Sequence, residues 1–87
     1  MTEQRVAIIT GGTRGMGKSM SIALSQRGDI VIAVYRSNEQ AALKVRDELQ
    51  AFSPQSDILQ GDVGKKADVD RIVKTVGERF GRIDILI

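Results

Sequence analysis

The sequence predicts an α/β domain built on a parallel sheet with helices on both faces. Two short, unbroken apolar runs, Val6-Ala7-Ile8-Ile9 and Ile30-Val31-Ile32-Ala33-Val34-Tyr35, are bounded by turn residues. Runs of this kind are the pattern of strands buried on both faces. Stretches with a 3.6-residue apolar period follow each of them, so strand and helix alternate along the whole chain. That alternation implies βαβ units, a parallel sheet and right-handed crossovers, hence a doubly wound sheet.

The elements follow in order. After the first strand and a glycine-rich turn, Met16, Met20, Ala23 and Leu24 form one stripe of a helix, and Gly28 stands where its C-terminal cap belongs. Beyond the second strand, Ser37 with Gln40 fits a capping box. Ala42, Val45, Leu49 and Phe52 then line a second helix, which Pro54 ends. Asp57-Ile58-Leu59-Gln60 reads as a third strand, leading into Gly61-Asp62-Val63-Gly64. Val69, Ile72, Val73, Val76 and Phe80 pattern a third helix with Gly81 as its cap. Ile83-Asp84-Ile85-Leu86-Ile87 reads as a fourth strand.

Composition bounds the function. Eighty-seven residues make one small domain of modest stability, and the 41% hydrophobic share marks it as globular. Phe52, Phe80 and Tyr35 are the aromatic residues, so the core is aliphatic and no stacking platform for single-stranded nucleic acid is expected. Thirteen basic and eleven acidic residues are interspersed to a net +2, which predicts solvated faces rather than a nucleic-acid or membrane surface. Without cysteine there is no disulfide, thiolate metal site or cysteine nucleophile, and without histidine no zinc site or histidine base. No metal site is expected. The N-terminus runs through Met-Thr-Glu-Gln-Arg straight into a strand, with neither a signal peptide nor a membrane span, so a cytoplasmic protein is expected.

The chemistry lies in Thr10-Gly11-Gly12-Thr13-Arg14-Gly15-Met16-Gly17, between a buried strand and a helix. A helix N-terminus offers unpaired N–H groups and the positive end of the peptide dipoles, so it attracts phosphate. Gly11 permits a sharp exit from the strand, and Gly15 and Gly17 let a pyrophosphate approach the backbone and the helix approach the sheet. The bland alternative is a glycine-rich loop. A sharper one is the P-loop of triphosphatases, which Gly12 to Ser19 also spells; there Lys18 would reach the terminal phosphates and Ser19 hold magnesium.

The next strand ends separate these readings. A dinucleotide site presents a ribose-reading residue at the end of the second strand. Tyr35-Arg36-Ser37 stands there, with no carboxylate. An acid would accept from the adenosine 2′-hydroxyl; Arg36 instead favours a 2′-phosphate, and Arg14 supplies a second charge to the same pocket. The expected cofactor is therefore NADP(H) in preference to NAD(H). For the triphosphatase no strand ends cleanly in a magnesium-binding Asp.

These segments resemble the classical short-chain dehydrogenase/reductase family along the whole chain, most closely its 3-oxoacyl-carrier-protein-reductase-like branch. VAIITGGTRGMGKSMSIALSQRG resembles the first strand, the Thr-Gly-x-x-x-Gly-x-Gly turn and the first helix. VIAVYRSNEQAA, GDV and FGRIDILI follow in register. The resemblance implies a Rossmann-like sheet of order 3-2-1-4, with residues 1–87 forming the N-terminal part of the dinucleotide-binding domain. It implies that Gly11, Gly12, Thr13, Arg14, Gly15, Met16 and Gly17 surround the pyrophosphate, Met16 toward the nicotinamide end. Arg14, Arg36 and Ser37 would read the 2′-phosphate, Asp62 would accept the adenine amino group, and Val63 would pack on the ring. Asp62 also reads more plainly as a turn former beside Gly61.

The family's Asn-Asn-Ala-Gly segment, catalytic Ser and Tyr-x-x-x-Lys pair lie beyond the fourth strand, where this sequence stops. The expectation is thus a cofactor-binding half that does not turn over alone, whether as part of a hydride-transferring reductase or as a non-catalytic binding or folding fragment. Its fourth strand would be an apolar edge open to self-association.

Overall fold

The computed structural model describes residues 4–87. Met1-Thr2-Glu3, read above as part of a leaderless N-terminus, lie outside the described residues. Strands and helices alternate as β1 (Val6–Thr10), α1 (Gly15–Gln26), β2 (Ile30–Tyr35), α2 (Glu39–Phe52), β3 (Asp57–Gln60), α3 (Lys66–Phe80) and β4 (Ile85–Leu86). The four strands form one sheet in the order β3-β2-β1-β4, every pair parallel. This is the doubly wound arrangement that the alternation predicts.

The two-residue period of the strands sorts the core into two halves. Val6, Ile8, Ile30, Ile32 and Val34 point to one face, where Ile72 and Val76 of α3 meet them. Ala7, Ile9, Val31 and Ala33 point to the other, against Val45 and Leu49 of α2 and the half-buried Ile22 and Leu24 of α1. Because both faces are covered, β1 from Val6 to Ile9 and β2 from Ile30 to Val34 are apolar and buried at every position, as the unbroken runs imply. Each buried Val, Ile or Leu among them contributes about 1.5–3 kcal/mol on burial.

Gly28 follows α1 in a left-handed conformation, with Asp29 N donating to Leu24 O (3.1 Å) and Gly28 N to Ser25 O (3.0 Å). This crossed pair is the Schellman arrangement, and it turns the chain directly into β2. Gly81 ends α3 at φ 75°.

Three local expectations are corrected. The buried positions of α1 are Ser21 and Ser25, whereas Met16 is 81% exposed and Met20, Ala23 and Leu24 line a shallow apolar cleft with Ile85 and Ile87. The strand face beneath α1 carries Ala7 and Ala33, against which Ile22 and Leu24 are half-buried, while the fully buried positions of the helix are small. The serine hydroxyls are satisfied within the helix, by Gly17 O (2.9 Å) and Ile22 O (2.7 Å). Second, Asn38 rather than Ser37 caps α2, its Oδ1 accepting from Ala41 N at 3.1 Å. Phe52 closes that helix half in solvent. Third, β4 is a regular strand over Ile85–Leu86, not from Ile83, although Ile87 is still bonded to β1 through Ile87 N to Ile8 O (2.9 Å) and Thr10 N to Ile87 O (2.7 Å). Ahead of it Asp84 locks onto β1, its N–H donating to Val6 O and its Oδ2 accepting from Val6 N, both at 2.8 Å.

Candidate functional site

The glycine-rich turn leaves β1 at its carboxyl end. Gly11 and Gly15 hold φ of +64° and +52°, the left-handed region that side-chain-bearing residues rarely adopt. Gly12 and Gly17 are required by space instead. A Cβ on Gly12 would stand 2.8 Å from both Ile9 O and Ser21 Oγ, and one on Gly17 would run into the Gly11 carbonyl. The first turn of α1 therefore packs directly on the loop that precedes it.

Arg14 is the N-cap of α1, with extended backbone and no side-chain cap bond. The first intrahelical acceptor is Arg14 O, which takes Lys18 N at 3.1 Å. The N–H groups of Gly15, Met16 and Gly17 thus have no partner within the helix. No acidic residue stands in the first turn of α1, whereas α2 has Glu39 and α3 has Asp68. Of the three helices among the described residues, α1 alone presents its positive end uncompensated.

Lys18 and Ser19 do not take P-loop positions. Lys18 Nζ turns to Glu48 on α2 (3.8 Å), and Ser19 Oγ leans back toward Gly15 O (3.4 Å).

The ends of β2 and β3 supply the second half of the site. Arg36 follows β2 with its side chain 80% exposed, and its Nη2 lies 3.7 Å from Asp62 Oδ2. Gln60 Nε2 donates to Arg36 O (3.2 Å), and Arg71 Nη2 donates to Gln60 O (2.6 Å). A polar cleft of about 440 Å³ opens here, with Arg36, Lys65 and Arg71 as its cations and Asp62 and Asp68 as its acids. Next to it an apolar cleft of about 160 Å³ lies over the ends of β1, β2 and β4, with Thr10, Val34, Val63 and Leu86 in its walls. Val63 is 51% exposed at its rim.

The structure gathers the turn, Arg36, Asp62 and Val63 at one edge of the sheet, the carboxyl ends of its strands, where open α/β sheets bind ligands. Ser37 is exposed in the bend after Arg36, and Thr13 is buried, 5% exposed, beneath the turn. Arg14 is not brought into the cleft that holds Arg36. Its extended N-cap backbone leaves the side chain in solvent beside the α1 N-terminus. Sequence reasoning missed Gln60, Lys65, Asp68 and Arg71. Only Asp68 carried a signal, as an acid in the first turn of α3.

This sheet, with its glycine turn and charged strand ends, defines a nucleotide-binding α/β fold of the Rossmann kind. Residues 5–87 match the short chain dehydrogenase family model, and the chain belongs to that family. It is 37% identical to a versicolorin reductase of Emericella nidulans over 82 residues, which is 94% of this chain and 31% of that protein. Among solved structures it is similar to a 3-oxoacyl-reductase from Bacillus thuringiensis (TM-score 0.90, 34% identity, 98% of this chain and 35% of that one). An alcohol dehydrogenase from Thermococcus sibiricus, solved with 5-hydroxy-NADP, matches with TM-score 0.84 and 30% identity over 97% of this chain and 36% of that one. The chain spans about a third of the length of these relatives. Membership of this family makes the P-loop spelling of the turn a coincidence of letters. No helix among the described residues is long and apolar enough to cross a membrane.

Proposed function

We propose that these residues form the NADP(H)-binding portion of a short-chain reductase that exchanges hydride between the cofactor and a carbonyl or alcohol substrate. The observation that carries the cofactor preference is Arg36, a cation with no carboxylate beside it in sequence, standing exposed where β2 ends. The turn fits a pyrophosphate: three N–H groups without partners in their helix stand at the α1 N-terminus, and Gly12 and Gly17 stand where a Cβ would fill the loop.

In this reading Gly15, Met16 and Gly17 donate backbone N–H groups to the pyrophosphate, and Gly11, Gly12 and Thr13 shape the loop beneath it. Arg14, Arg36 and Ser37 meet the 2′-phosphate, Arg14 from the mouth of the turn. Asp62 accepts from the adenine amino group and Val63 packs on the ring. The bound cofactor would supply the hydride; these residues bind and orient it. No residue among the 87 is assigned a proton-transfer role.

We also propose that the chain self-associates through β4, where Leu86 is 61% and Ile87 48% exposed.

Thermal unfolding with NADPH, NADH or ATP–magnesium tests the cofactor reading. The expected order is a larger upward shift with NADPH than with NADH, and none with ATP–magnesium beyond that of ATP alone. A stabilisation confined to ATP–magnesium would overturn it.

A further inference from the structure

Asp62 is held from three sides. Its Oδ1 accepts from Gly64 N (2.9 Å), closing a tight turn over the residues after β3. Its carbonyl accepts from Lys65 N (2.9 Å). Its own N–H donates to Asp68 Oδ2 (2.8 Å), in a half-buried contact between the strand end and the first turn of α3. Only Oδ2 of Asp62 remains turned toward the polar cleft, 3.7 Å from Arg36 Nη2.

Asp68 could be no more than a helix-capping acid, since it stands in the first turn of α3 beside the dipole. Its carboxylate, however, is not spent on an N–H of its own helix. It accepts the N–H of Asp62, six residues earlier, at the end of another element. Without that acceptor, this half-buried N–H would be left without a protein partner and the strand end would lose its tie to α3, leaving only the turn bonds from Gly64 and Lys65 to set the Asp62 side chain.

We infer that Asp68 is a positioning residue: its carboxylate fixes the Asp62 backbone so that Asp62 Oδ2 faces the cleft as a base-reading acceptor. The inference rests on the proposed role of Asp62 toward the adenine amino group. Asp68 itself touches no ligand. It acts through Asp62, and its effect falls on base selectivity rather than on affinity for the phosphates.

The test compares NADPH with its hypoxanthine analogue, in which a carbonyl replaces the 6-amino group, by titration of the 87-residue chain well below its unfolding temperature. The wild-type chain should prefer NADPH by about tenfold, the scale of one hydrogen bond to a charged group at a partly exposed site. Asp68→Ala should cut that preference to about twofold or less. Asp68→Asn keeps an oxygen acceptor for the Asp62 N–H and should retain most of the preference. Added to Asp62→Ala, Asp68→Ala should remove no further selectivity. A cap lost from α3 would lower stability and weaken both ligands equally, so the ratio separates the two roles. If the wild-type chain fails to discriminate, the reading of Asp62 falls and this inference with it. If it discriminates and Asp68→Ala discriminates equally well, the inference alone is overturned.

Discussion

Replacing Arg36 by Asp should reverse the cofactor preference. Two unit charges about 4 Å apart interact by about 1 kcal/mol in bulk water and about 4 kcal/mol at an effective dielectric near 20. The Arg36 side chain is 80% exposed, so the water-like limit applies. A phosphate monoester carries about −1.5 to −2 charges near neutrality, so Arg36 contributes roughly 1.5 kcal/mol to its binding. Arg36→Ala should therefore weaken NADPH about tenfold, and Arg36→Asp, which adds a repulsion of similar size, about a hundredfold. NADH should gain a few-fold in Arg36→Asp, because a carboxylate at the end of β2 accepts from the free 2′-hydroxyl. Fluorescence titration of both cofactors measures the ratio directly. Raising ionic strength from about 0.1 to 1 M shortens the screening length from about 10 to 3 Å, so it should erase most of the wild-type advantage and change Arg36→Ala little. An NADPH-to-NADH ratio that stays within about threefold of wild type in Arg36→Asp would refute the assignment.

Two further predictions concern the way β4 is held. The Arg82 guanidinium bonded to Asp84, and then the Val6 N–H, hold the Asp84 carboxyl below its ordinary 3.8. A carboxyl depressed in the folded state contributes stability above its unfolded pKa and loses it as pH falls through the folded one. The unfolding midpoint should thus fall more steeply below about pH 4 in the wild type than in Asp84→Asn, and parallel curves would count against the pairing. Leu86→Lys, placing a charge on the exposed edge strand, should shift the chain toward monomer in sedimentation velocity; a wild type already monomeric at every concentration would dispose of the proposed self-association.

Much of the fold was legible because burial on both faces leaves a plain mark. Strands covered on each side must be apolar at every position, so β1 and β2 declared themselves without reference to the helices. β3 had only its turn residues and length, yet these placed it over Asp57–Gln60. In α1 the same reasoning failed for a physical reason. Hydrophobic periodicity follows the large apolar residues, whereas α1 meets the glycine turn through small ones. A Cβ at Gly12 would collide with Ser21 Oγ, so the helix sits where a leucine could not. The relevant signal was the run of small residues spaced along α1, together with Ala7 and Ala33 opposite.

The site divides along a similar line. Backbone features of the turn were readable in part: spacing sets which N–H groups lack helical partners and puts a sharp exit at Gly11, whereas Gly15, expected to give room, is required by its left-handed φ instead. Side-chain partnerships were not, since they depend on how α3 crosses the ends of β2 and β3. Nothing in the spacing of Asp62 and Asp68 says that the carboxylate of one takes the N–H of the other, or that Arg36 will find Asp62. The same dependence separates the two arginines that the sequence assigned to one pocket. Arg14 is tied to the start of α1, whose first turn packs on the glycine loop, while Arg36 is carried by β2 into a cleft walled by α3. In the proposed site, then, the two charges approach the 2′-phosphate from different elements, Arg14 from the start of α1 and Arg36 from the end of β2, where its exposed guanidinium also stands 3.7 Å from Asp62 Oδ2.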